Sequence, residues 1–250
     1  MRNALVVGGS SGLGLASAQA ILNNGDSVCI VGRQEDRLQD AKNCLGVSNV
    51  ETAIFDMSVD SEVQQFCSTN QNHPDILVLN AGGPPPGPCQ NLSRTELEKA
   101  IQTHLYSSIR LVDWALPKMI ENKFGRIVAI TSITAKSLLE SMALSNIVRG
   151  AVQNWLKTLS REIAAHGITV NCALPGYTMT SRIDELFSLQ SKSSGRSRDE
   201  IETKILAQIP AKRFGNPNEF GEVVGFLCSE RSSFVTGQAI AIDGGWTQGV

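Results

Sequence analysis

Residues 4–14 read Ala4-Leu5-Val6-Val7-Gly8-Gly9-Ser10-Ser11-Gly12-Leu13-Gly14. An apolar run of strand length meets a turn spaced G-x-x-x-G-x-G, and residues 13–23 then follow a helical period that Asn24-Gly25 closes. Glycine lets the backbone turn sharply between strand and helix and lets a bound group come close to it. The free N–H groups and positive end of the following helix attract a pyrophosphate. Gly8, Ser10, Ser11, Gly12, Leu13 and Gly14 are therefore the candidate phosphate contacts. A tight strand-to-helix turn with no ligand uses the same residues, so the surrounding sequence has to decide.

Outward from this turn, apolar runs of strand length recur at residues 27–31, 51–55, 76–79, 126–130, 169–173 and 239–242, separated by segments of helical length. Ile76-Leu77-Val78-Leu79 and Ile127-Val128-Ala129-Ile130 are apolar on both faces, as central parallel strands covered by helices must be. Alternating β and α elements predict an α/β fold class: a single-domain Rossmann fold over residues 1–250, with a doubly wound parallel sheet of about seven strands flanked by helices. Residues 94–117 contain a long helix after the N-cap Ser93, and residues 145–165 form the longest amphipathic stretch before Gly167 stops it. Two segments break the rhythm. Residues 82–89 carry four prolines, and residues 188–198 are polar and serine-rich within a stretch, 180–210, that is predicted to be a mobile flap over substrate. Its basic residues Arg182, Lys192, Arg196 and Arg198 are either solvated or a recruiting surface for a carboxylate or phosphate.

With 42% hydrophobic and 18% charged residues the chain has material for a large core, and a net charge of -2 without like-charge runs argues against a nucleic-acid or membrane surface. A small-molecule partner fits better. The six cysteines form no C-x-x-C pair, so no metal site is predicted and the thiols are expected to be reduced and mostly buried. The first apolar run is too short for a signal-peptide core or a membrane span, and a cytoplasmic location is expected.

The glycine turn resembles the cofactor loop of the short-chain dehydrogenase/reductase family, and further landmarks occur in that family's order. Asp56-Met57 resembles its adenine contact, Asn80-Ala81-Gly82 its cofactor-side turn, and Pro175-Gly176 its nicotinamide-side turn; Arg213-Phe214-Gly215, Thr236-Gly237-Gln238 and Asp243-Gly244-Gly245 match its C-terminal third. The resemblance implies a nicotinamide dinucleotide. An acidic residue ending the second strand would repel a 2′-phosphate, but that strand ends Val31-Gly32-Arg33, and arginine pairs with phosphate through charge-assisted bonds. NADP(H) is expected over NAD(H). The family also implies a homotetramer or dimer assembled through the C-terminal region of Ile240, Ile242, Trp246 and Val250.

The catalytic pattern departs from the family's Asn-Ser-Tyr-Lys. Ser132 stands where the family has its serine, whereas Ser145 and Arg149 occupy the Tyr and Lys positions of Y-x-x-x-K, and His104 replaces the helical asparagine. Serine is a poor acid and arginine a poor proton shuttle, although both can stabilise an oxyanion. Three other proton sources are candidates: Lys136, if desolvated; His104, if it titrates near neutrality; and Tyr177, if it approaches the nicotinamide. Each has a structural reading beside it, as solvated loop lysine, satisfied helix histidine and packing residue, and Tyr106 reads as core. The pattern resembles a minority branch lacking Tyr and Lys, some of whose members reduce conjugated enones. Two functions stand: an NADPH-dependent reductase of a small carbonyl or α,β-unsaturated carbonyl compound, and a cofactor-binding homologue without turnover, serving as a sensor or structural partner.

Overall fold

The computed structural model describes residues 1–46 and 48–248. Its elements run β1 (Asn3–Val7), α1 (Gly12–Asn23), β2 (Ser27–Gly32), α2 (Glu35–Leu45), β3 (Val50–Ile54), α3 (Asp60–Thr69), β4 (Ile76–Leu79), α4 (Arg94–Ile101), α5 (Ser107–Glu121), β5 (Gly125–Ile130), α6 (Ala143–Ile163), β6 (Ile168–Pro175), α7 (Ser181–Ser194), α8 (Arg198–Gln208), α9 (Pro217–Cys228) and β7 (Ala239–Ile242). All strand pairs are parallel in the order β3-β2-β1-β4-β5-β6-β7. The order reverses between β1 and β4, and a ligand crevice opens at such a switch point, outside the carboxyl ends of the strands.

Both faces of the sheet are covered, which is why every residue of β4 and β5 is buried. Helices α3, α5 and α6 pack on one face through Val63, Leu111, Met119, Val152 and Leu156. Helices α1, α2 and α9 pack on the other through Ile21, Leu38, Phe220 and Val224. Each such fully buried side chain contributes about 1.5–3 kcal/mol of transfer free energy, so the two layers supply the main driving force.

Three expectations change. The long helix predicted within 94–117 begins after Ser93, whose hydroxyl accepts from the Glu96 N–H, but it is divided by a π-helical turn, Gln102–Tyr106, and its second half runs through Pro117 to Glu121. A π-turn inserts about one residue and rotates the helix beyond it. Tyr106 consequently faces outward, 56% exposed, and is not a core residue. Second, residues 188–194 are helical, the end of α7, which packs with α8 around Ile183, Phe187, Ile201, Ile205 and Ile209 as a small apolar cluster of its own. Third, the thiols are not mostly buried: Cys172 and Cys228 are, Cys29 and Cys67 are half-buried, and Cys44 and Cys89 are exposed.

At the C-terminal edge, Ile240 and Ile242 lie on β7 and are half-buried, and Trp246 packs under the α7–α8 cluster; Val250 lies outside the described residues. Among the described residues no helix is long and apolar enough to cross a membrane.

Candidate active site

The glycine turn is a close-packed cradle. Gly8 has φ +64° and Gly12 φ +54°, left-handed values that L side chains rarely adopt. A Cβ on Gly14 would fall 2.1 Å from the Gly8 carbonyl oxygen, so the first turn of α1 can approach β1 only without a side chain there. The Asn80 side-chain amide donates to the Gly8 carbonyl at 3.2 Å, fastening the end of β4 to the turn. Ser11 precedes α1 with extended backbone and a hydroxyl that makes no capping bond. Leu13 instead turns its side chain into the α1 face of the core.

At the end of β2 the Ser10 hydroxyl lies 3.3 Å from where a Gly32 Cβ would be, next in sequence to Arg33. Arg33 is largely exposed and leans on Asp56 at 3.4 Å, a weak contact that leaves its guanidinium available. Burial pushes the Asp56 carboxyl up, but hydrogen bonds from Ser58 and the Arg33 charge outweigh it and hold the group below its ordinary range. Met57 sends its side chain into the core, and its carbonyl accepts from the Ser107 hydroxyl at 2.6 Å. The Pro175-Gly176 turn is braced by β7: the Gly176 N–H donates to the Ile242 carbonyl, and a Cβ on Gly176 would meet that of Asp243 at 2.6 Å.

Beyond β5, the Ser132 hydroxyl accepts from the Thr134 N–H at 3.1 Å and starts a short 3-10 turn. The Thr134 hydroxyl lies 3.3 Å from the buried Ser145 hydroxyl, so Thr134 links the two serines. One helical turn on, Arg149 is buried and donates to the carbonyls of Ile130 (2.8 Å) and Ala81 (3.2 Å), clamping the ends of β5 and β4; its Nε has no partner among the described residues. Burial, and then the nearby Arg182, bring its pKa down to about 10, so it stays cationic at neutral pH. His104 lines the same cavity as Asn80, Ala81, Thr131 and Arg149, with its ring toward the Gly82 backbone. Burial first and Arg149 second hold its pKa well below the usual histidine value. The expectation that His104 titrates near neutrality is thereby corrected: it is neutral there.

The structure does not bring the other two proton candidates to this cluster. Lys136 is exposed, at the end of the 3-10 turn that follows Ser132. Tyr177 packs edge-on against Trp246 at 6.3 Å beneath α7 and α8, and burial raises its pKa, the wrong direction for a proton donor. Two residues outside the expected set belong to the site. Thr134 was legible in the hydroxyl-rich run Thr131-Ser132-Ile133-Thr134; Thr180, before α7, lies with its Cγ2 3.4 Å from where a Gly12 Cβ would be, bringing a second helix N-terminus to the glycine turn.

A parallel sheet with its switch point at a glycine cradle defines a dinucleotide-binding Rossmann protein. The chain belongs to the short-chain dehydrogenase/reductase superfamily, and residues 7–247 match the family model described as Enoyl-(Acyl carrier protein) reductase. It is 29% identical to the NADPH-dependent reductase BacG of Bacillus subtilis, over 98% of this chain and 97% of that protein. It is 30% identical to the 3-oxoacyl-[acyl-carrier-protein] reductase MabA of Mycobacterium tuberculosis, over 99% and 94%. The structure of L-sorbose reductase from Gluconobacter frateurii, complexed with NADPH and L-sorbose, superposes with a TM-score of 0.91 at 28% identity, covering 100% of this chain and 97% of that one.

Proposed function

We propose that this chain is an NADPH-dependent reductase of small carbonyl or α,β-unsaturated carbonyl compounds, in an atypical branch of its superfamily that works with Ser145 and Arg149 in place of the Tyr-Lys pair. The observation that carries the reading is the meeting, at one edge of the sheet, of a glycine cradle closed to any side chain and a buried cationic Arg149 beside linked serine and threonine hydroxyls. Relatives named as an NADPH-dependent reductase and a 3-oxoacyl reductase, and a neighbour solved with NADPH, support the cofactor and the reaction class.

The residues fit a nicotinamide dinucleotide. Backbone N–H groups of the glycine turn would hold the pyrophosphate, Ser10 and Arg33 the 2′-phosphate, and Asp56 and the Met57 backbone the adenine; Asn80-Ala81-Gly82 and Pro175-Gly176 would border the nicotinamide end. When bound, NADPH supplies the hydride that reduces the substrate carbon. Ser132 and Ser145 hold the substrate oxygen by donating hydrogen bonds as negative charge develops on it, and Arg149 supplies a fixed positive field in a dry setting. None of these groups is a good acid at neutral pH, so the site suits an oxygen that becomes an enolate better than one that becomes an alkoxide. Helices α7 and α8, which follow Thr180, act as the flap over the cleft.

Two substitutions test this. Ser132→Ala is expected to lower kcat by about 100-fold or more, the cost of removing one oxyanion donor, while NADPH affinity stays within about two-fold; unchanged kcat removes Ser132 from the chemistry. Arg33→Ala is expected to weaken NADPH by about 10- to 100-fold, as for a lost charge-assisted contact, and to leave NADH nearly unchanged. Equal losses for both dinucleotides, measured by fluorescence titration, contradict the 2′-phosphate assignment.

A further inference from the structure

Arg182 stands in the first turn of α7 and reaches back across the cleft mouth. Its Nη2 donates to the Pro84 carbonyl at 3.0 Å, and its guanidinium lies 3.6 Å from where a Cβ on Gly83 would be, over the proline-rich loop after β4. Among the described residues its one acidic contact is Glu185, at 3.2 Å and one helical turn away, with a side chain 64% exposed. Such a surface pair is weak and gives way readily to a better-placed anion. Beneath it Arg149 is buried and bound only to neutral carbonyls, with its Nε unpartnered, and no carboxylate among the described residues lines the cavity it shares with His104. The two guanidinium groups are near enough for Arg182 to be the main charge acting on Arg149. A buried cation without a counter-charge is costly, and an incoming anion relieves that cost.

Resting on the reductase reading above, we infer that Arg182 is a specificity-determining anion anchor, and that the substrate is a carbonyl compound carrying a carboxylate, which Arg182 receives as the flap closes. Arginine's planar fork suits this task, because Nη1, once released by Glu185, and one N–H of Nη2 can bond both carboxylate oxygens while the other Nη2 N–H stays on the Pro84 carbonyl. The same surplus positive charge could be satisfied by the pyrophosphate of the dinucleotide, and the test has to separate the two.

The full chain is titrated calorimetrically with 2-oxopentanoate and 4-oxopentanoate, each beside its methyl ester, in the presence and absence of NADP+, with NADPH affinity measured separately. In the wild type at least one acid is expected to bind about ten-fold or more tightly than its ester, as for one charge-assisted contact. Arg182→Gln, which keeps a donor for the Pro84 carbonyl, is expected to reduce that ratio to about two or less with NADPH affinity within about two-fold; Arg182→Lys retains part of the preference. Equal binding of acids and esters by the wild type, or a preference that survives in Arg182→Gln, overturns the inference. A loss of NADPH affinity in that variant with the acid preference intact also overturns it, and assigns Arg182 to the pyrophosphate. Failure of the wild type to bind NADPH contradicts the reductase reading instead, and the acid-to-ester ratio of the protein alone still decides the role of Arg182.

Discussion

Replacing Arg149 by methionine is expected to lower kcat by about 100-fold or more and the melting temperature by roughly 5–15 °C, the largest combined effect of any single change in the site. The two carbonyls that Arg149 clamps, on Ile130 and Ala81, lie at the ends of adjacent central strands. Methionine fills much of the volume but donates nothing. Each carbonyl left unsatisfied costs about 1–3 kcal/mol, so a loss of about 2–6 kcal/mol is expected for the two. The positive field at the substrate oxygen disappears as well, for a loss in kcat of about 100-fold or more even on the fraction that remains folded. Arg149→Lys separates the contributions: an ammonium keeps the charge but lacks the span of the guanidinium fork, so activity is expected to recover further than stability. Thermal melts and kcat measured well below the transition check both. Wild-type turnover in Arg149→Met removes the residue from the mechanism.

Gly14→Ala is expected to eliminate measurable NADPH binding, a loss of about 100-fold or more, and to destabilise the fold by about 1–3 kcal/mol. The added Cβ would sit 2.1 Å from the Gly8 carbonyl oxygen and 2.9 Å from the Asn80 amide nitrogen, so the cradle must open or the helix withdraw. Either movement displaces the N–H groups proposed to hold the phosphates. Gly150→Ala serves as its control, because nothing lies within 4 Å of the new Cβ there and the position is inside α6. Alanine at that position is expected to be neutral or stabilising by about 0.5–1 kcal/mol. Equal NADPH affinity in Gly14→Ala and the wild type shows that the dinucleotide does not use this turn.

Local features made the frame legible in the sequence. The apolar runs at 76–79 and 126–130 require a parallel sheet covered on both faces, and the glycine turn at 8–14 comes after a strand and opens a helix, as the structure has it. Arg149 and Ser145 could be placed one turn apart because helical spacing is fixed. The features hidden from the sequence depend on contacts between distant segments. The neutrality of His104 comes from burial against Arg149, and the outward face of Tyr106 from a π-turn that no apolar periodicity marks. Lys136 is close to Ser132 along the chain, but the 3-10 turn at Ile133–Ala135 leaves it at the surface. Thr180 and Arg182 lie about 170 and 100 residues from the groups they meet, Gly12 and Pro84, and only folding brings them over the cleft.

His104 and Arg149 also bear on the chemistry proposed for the site. A protonated histidine beside a buried guanidinium would be two like charges in one cavity, and the depressed histidine pKa removes that conflict. The cluster therefore holds one net positive charge near neutrality, next to the hydroxyls of Ser145 and Thr134. Such an environment favours a substrate oxygen that gains negative charge, and makes the source of the final proton less critical.

The most direct test supplies NADPH carrying deuterium at the transferable C4 position, with panels of ketones, enones and acyl thioesters, and identifies the products by mass spectrometry. Deuterium is expected on the carbon of a reduced product, with enones ahead of simple ketones and with Ser132→Ala and Arg149→Met suppressing the label. Tight NADPH binding with no deuterium transferred to any member of the panels would contradict the reductase reading, and would make the chain a cofactor-binding protein without turnover.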